Sequence, residues 1–96
     1  MSKHIACDLD GTLAHYDGWK GIHHIGEPIV ATLNRVKAAL LAGVEVTIFT
    51  ARLGLDRTEH RRDAEATRQY IEEWCVKHVG RVLPITATKR AWFTEI

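Results

Sequence analysis

The chain has 96 residues, enough for one small domain holding a single sheet and a few helices. Apolar residues make up 46% and charged residues 26%, a balance that excludes an intrinsically disordered composition. The net charge of +1 leaves no bulk attraction for nucleic acid or a membrane surface, only for a local basic patch.

The N-terminal MSKHIACDLD turns acidic too soon to read as a signal peptide. No apolar run approaches the ~20 residues that a membrane span needs. Cys7 and Cys75 have no CxxC partner, and each falls in a segment with a buried pattern. They are expected as reduced core thiols of a cytoplasmic protein rather than as a disulfide.

In chain order, His4 to Cys7 is a short apolar run ending at an acid, which predicts a buried strand with Asp8 at its C-terminal end. From Gly11 to Gly26 glycines, aromatics and His15, His23 and His24 follow with no sustained period, which predicts a loop or small hairpin. Pro28 suits the first turn of a helix, and Ile29, Leu33, Val36, Leu40 and Leu41 keep helical spacing up to a stop at Gly43. Val44 to Phe49 is β-branched and apolar and predicts a second strand ending at Thr50.

Ala51 to Arg62 is charged and irregular and reads as a surface loop. Asp63 to His78 predicts a second helix that buries Thr67, Ile71, Trp74 and Cys75, exposes Glu65, Arg68, Glu72, Glu73 and Lys77, and ends at Gly80. Arg81 to Ile85 predicts a third strand, Thr88 to Trp92 a helical turn, and Phe93 to Ile96 the beginning of a fourth strand. Alternating strands and helices imply right-handed crossovers and a parallel sheet covered on both faces, with ligands outside the carboxyl ends of the strands. Asp8 and Thr50 both fall at those ends.

Asp8 and Asp10, one residue apart after a buried strand and followed by Gly11-Thr12, carry the chemistry. Paired carboxylates repel one another and lose solvation, so such a pair calls for a counter-ion, and Mg²⁺ supplies one for oxygen ligands. Gly11 lets the backbone turn tightly and brings its N–H groups toward an anion. A turn in which Asp10-Gly11 only reverses the chain would leave Asp8 and Thr12 unexplained.

Asp8-Leu9-Asp10-Gly11-Thr12 resembles the first motif of the haloacid-dehalogenase-like superfamily. Thr50 after VEVTIF is similar to the second motif, and Lys89 is placed like the third. The resemblance covers essentially the whole chain, 1–96, and implies a three-layer, Rossmann-like α/β fold with helices on both faces of the sheet. It also implies a phosphatase in which Asp8 attacks phosphorus and forms an aspartyl-phosphate. Asp10 would protonate the leaving oxygen and later deprotonate water. Thr50 would bond a phosphoryl oxygen, Lys89 would hold negative charge, and Mg²⁺ would be bound by the Asp8 carboxylate and the Asp10 backbone carbonyl.

The family's fourth motif, an acidic pair after strand four, is not among these residues, and the expectation is that the natural chain continues past Ile96. No segment is long enough for a cap domain. A capless site is open and suits a large substrate or a homo-oligomer that closes it. Gly11, Thr12, Ala51 and Arg52 would line the substrate site, with Arg52 either a phosphate contact or a solvated loop charge. Lys89 competes with a plain surface-lysine reading, with Arg90 beside it.

His15, His23 and His24 lack zinc-ligand spacing and read as loop histidines. Arg57, Arg61, Arg62 and Arg68 are interleaved with acids and read as a solvated face that could meet a polyanion. The expected function is Mg²⁺-dependent hydrolysis of a phosphomonoester, the substrate being a nucleotide, a nucleic-acid end or a sugar phosphate. The segment after Thr50 also resembles the 3′-phosphatase module of phage-type polynucleotide kinases. Small capless phosphatase-like proteins are an equally close match. The competing reading from another class is a non-catalytic domain that binds phosphate or a partner.

Overall fold

The computed structural model describes residues 4–54, 61–87 and 94–95. Strand β1 (His4–Asp8) is followed by helix α1 (Val30–Leu41), strand β2 (Glu45–Phe49) and a 3-10 turn at Ala51–Gly54. Helix α2 (Arg61–His78) leads to two short strands, β3 (Ile85–Thr86) and β4 (Thr94–Glu95). All neighbouring strands run parallel in the order β3-β2-β1-β4, so the chain has an α/β fold with β1 inside the sheet.

Register sets the end of the sheet where chemistry can occur. His4–Asp8 pairs residue for residue with Glu45–Phe49, which places Asp8 opposite Phe49. The ladder runs one step further on each side: Leu9 N–H donates to the Phe49 carbonyl at 3.1 Å, and Thr50 N–H to the Thr86 carbonyl at 2.9 Å. The acid of β1 and the threonine after β2 therefore leave the sheet together.

Cys7, Val46, Ile48 and Ile85 of the strands share one buried cluster with Val36 of α1 and Ile71, Trp74 and Cys75 of α2. Leu9, Leu13 and Ala14, just past β1, join the same cluster, so the turn that carries Asp10 is anchored in the core. The pleat turns Ala6 and Thr47 to the opposite face, where they are only 2% and 4% exposed. Thr47 is bonded there by the His4 ring, Nε2 to Oγ1 at 2.6 Å, while His4 Nδ1 lies 3.2 Å from Glu45.

The expected helix faces hold for Val36, Thr67, Ile71, Trp74 and Cys75, all buried. Several boundaries differ. Pro28 is not in the helix: it bridges Ala14 in extended backbone, and Ile29 N–H is taken by the Leu13 carbonyl at 2.7 Å, so α1 begins at Val30. Leu41 keeps helical spacing but is 90% exposed, while Ala39 and Leu40 of the same turn pack against the core. That turn closes as expected at Gly43, whose N–H bonds the Leu40 carbonyl while Val44 N–H bonds that of Ala39.

The second helix starts at Arg61 rather than Asp63. The third strand covers only Ile85–Thr86, since β2 offers partners there at Ile48 and Phe49; the Pro84 carbonyl still accepts from Ile48 N–H at 2.7 Å. The helical turn expected at 88–92 lies outside the described residues. No helix among them is long and apolar enough to cross a membrane.

Candidate active site

The turn after β1 is built by the sequence Leu9-Asp10-Gly11-Thr12-Leu13. Leu9 and Leu13 are buried, and their burial forces the chain to double back. The N–H groups of Leu13 and Ala14 bond the Leu9 carbonyl at 3.0 and 2.9 Å, and Gly11 N–H bonds the Ala14 carbonyl at 2.8 Å. Gly11 has φ +82°, a left-handed conformation that an L side chain adopts only under strain. Asp8 and Asp10 are thus held on the two sides of a rigid one-residue step, both half-buried.

Asp10 is not free. Arg52 donates Nε–H to Asp10 Oδ2 at 2.7 Å and Nη2–H to Oδ1 at 2.8 Å, a charge-assisted fork across 42 residues. The 3-10 turn after β2 delivers this side chain: Arg52 N–H bonds Thr50 Oγ1 at 3.1 Å, which folds the backbone back toward β1. Arg52 is 7% exposed, its Nη1 reaches the Ile22 carbonyl at 3.5 Å, and its guanidinium carbon lies 4.9 Å from the centre of the Trp19 ring. The reading of Arg52 as a solvated loop charge is therefore overturned.

Thr50 is 3% exposed and accepts from Arg52 N–H, so its own O–H remains available to donate. Ala51 is exposed and Thr12 half-buried. Lys89 and Arg57 lie outside the described residues, so the structure brings together Asp8, Asp10, Gly11, Thr12, Thr50 and Arg52 from the expected set. His15, His23 and His24 sit exposed in the covering loop.

That loop, 15–27, is tied down at several points. His15 N–H bonds the Glu27 carbonyl at 2.8 Å, Trp74 Nε1–H of α2 bonds the Gly26 carbonyl at 3.0 Å, and His23 meets Tyr70 of α2 edge-on at 6.5 Å. Within it Lys20 grips Asp17 at 3.1 Å, and this hydrogen bond holds the exposed Asp17 carboxyl below its ordinary range. Trp19 and the Ile22 carbonyl, both part of the Arg52 pocket, escaped sequence reasoning because the loop has no period. The only signal was aromatic and glycine density directly after the acidic pair.

Among the described residues nothing donates to the Asp8 carboxylate or to the Asp10 backbone carbonyl. Two hard oxygen donors left open on one short segment fit Mg²⁺, which takes one or two carboxylates and fills its remaining positions with water and phosphate oxygens. No group of three or more His, Cys, Asp or Glu side chains that could hold a metal gathers among the described residues. A metal here would rest on few protein ligands. No family model, no curated protein and no solved structure matches this chain.

Proposed function

We propose that the chain is a capless phosphomonoester hydrolase of the haloacid-dehalogenase-like type, with Asp8 as nucleophile. The observation that carries this reading is the Asp8 carboxylate, to which no described residue donates, at the end of β1 and level with Phe49, the residue before Thr50. Asp8 attacks phosphorus, the ester P–O bond breaks, and the leaving oxygen takes a proton from Asp10. Water then attacks the aspartyl-phosphate, gives its proton to Asp10 and releases phosphate from Asp8. The Thr50 hydroxyl donates to a phosphoryl oxygen. The Asp8 carboxylate and the Asp10 carbonyl would hold Mg²⁺, which would offset the repulsion between an anionic nucleophile and an anionic substrate.

The Arg52 fork constrains this scheme. Both Asp10 oxygens are taken by Arg52, so neither reaches a leaving oxygen while the fork holds. In the proposed cycle an arriving phosphate dianion draws Arg52 away, which frees Asp10 and puts the cation on the phosphoryl oxygens. The three-layer architecture belongs to the same reading. Burial of Ala6 and Thr47, on the face turned away from Cys7 and Ile48, supports a second covering layer.

A second reading, a domain that binds phosphate without turnover, is favoured by the same fork, since a permanently engaged Asp10 cannot act as an acid. One experiment separates the two. Phosphate release from p-nitrophenyl phosphate is expected in the presence of Mg²⁺, abolished by EDTA and by Asp8→Asn. Release that survives Asp8→Asn, or its absence across a panel of phosphomonoesters, sinks the hydrolase.

A further inference from the structure

Trp19 is 53% exposed, although burying an indole is among the larger apolar gains open to so small a chain. One face of its ring is covered by the Arg52 guanidinium at 4.9 Å. That guanidinium is itself fixed, by two bonds to Asp10 and one to the Ile22 carbonyl. In the free site the indole thus lies on a tethered cation, in a loop whose far end is bonded to α2 through Gly26 and Trp74. With one face covered and half the surface exposed, the other face is left to solvent. It is a flat, preorganised aromatic surface one side chain removed from Asp10.

We propose that Trp19 is a stacking platform for the base of the substrate, and that the site takes phosphomonoesters bearing a planar heteroaromatic ring, namely nucleotides or nucleotide-terminated strands. This rests on the reading of Asp8 as the phosphate-directed nucleophile. Every nucleobase has a π face, so a platform of this kind accepts several bases without reading their edges. A fixed ring also loses little entropy on binding, which is where preorganisation contributes affinity. Tyr16, on the same loop, is a second exposed aromatic, at 50%. A sugar phosphate has no π face to stack on such a surface.

The test compares adenosine 5′-monophosphate, adenosine 3′-monophosphate and ribose 5-phosphate, with Mg²⁺ present. Affinities are read by calorimetry in the Asp8→Asn background, where no turnover occurs, and kcat/KM is read in the active chain. Trp19→Leu is expected to lower the ratio of nucleotide to ribose phosphate affinity by roughly 5- to 150-fold, with Trp19→Phe restoring most of it. A role limited to holding Arg52 would weaken all three ligands alike and leave that ratio unchanged, which overturns the proposal. Equal affinity of the unaltered chain for adenosine monophosphates and ribose phosphate also overturns it, while hydrolysis of ribose phosphate would leave the hydrolase reading standing. If no phosphomonoester is bound or cleaved, both fall together. A short 3′-phosphorylated single strand serves as the last arm: tighter binding than the mononucleotide, weakening steeply with salt, assigns the base to a strand end.

Discussion

Arg52 bonds both oxygens of Asp10, reaches the Ile22 carbonyl and carries the Trp19 ring, all from a position that is 7% exposed. Its partner, with a side chain 22% exposed, is wetter, so the pair lies between a surface bridge and a fully dry one. Deleting the cation leaves the Asp10 carboxylate half-buried two residues from Asp8, with no counter-charge among the described residues. Arg52→Ala is therefore expected to lower unfolding free energy by about 2 kcal/mol, read from the urea midpoint. Arg52→Lys should recover only part of that, because an ammonium cannot span both oxygens and does not stack on an indole as a guanidinium does. A lysine variant as stable as the parent would show that the fork geometry is immaterial and only the charge counts.

The loop 15–27 is the element that brings Trp19 and the Ile22 carbonyl to Arg52, and its hold on the rest of the fold is backbone-mediated. Gly26 packs so closely that a Cβ there would collide with the His15 carbonyl oxygen, and its own carbonyl accepts the Trp74 indole N–H. Gly26→Ala must push the His15 and Glu27 strands of the loop apart. The expected cost is about 1–3 kcal/mol in thermal or urea unfolding. Calorimetric binding at the Trp19 face should weaken as the loop shifts. An alanine variant with unchanged stability would mean that this close approach relaxes freely. Such dependence explains what the sequence could and could not reveal. The placement of Asp8 and Thr50 at neighbouring strand ends is legible because hydrophobic runs end at them, and a strand end is a local pattern. The cores of α1 and α2 are legible from their period. The Asp10–Arg52 fork, the Trp19 stack and the Gly26 contact join segments far apart in the chain through a turn and an aperiodic loop, and no local pattern encodes them. Pro28 misled for a related reason: its preference for a first helical turn yields to the bridge with Ala14.

At the scale of the whole molecule, one core joins sheet and helices, and its two thiols report on it. Cys7 of β1 and Cys75 of α2 are both free and fully buried. Burial, reinforced by the charge of Asp8, pushes the Cys7 thiol up to about 12 from an ordinary 9.0. Burial likewise raises Cys75 to about 11, against the opposing effect of a hydrogen bond with the Leu83 backbone. Both shifts have the same sign. In the unfolded chain the thiols lose their protons near pH 9, whereas in the folded chain they keep them to about 11 and about 12. Below pH 9 both states are protonated and the full stability is present. Above it the unfolded state binds fewer protons than the folded one, so stability falls until the folded thiols ionise in turn. Each thiol contributes a slope on the order of 1.4 kcal/mol per pH unit in its window. Lysines and tyrosines titrate in the same range, so the measurement is a comparison: urea unfolding of the parent and of Cys75→Ala at pH 8, 9, 10 and 10.5. The alanine variant is expected to start lower, because it leaves a small cavity, and to decline less steeply above pH 9. Parallel declines in the two proteins would show that the Cys75 thiol ionises alike in folded and unfolded chains, and that the core around α2 admits water.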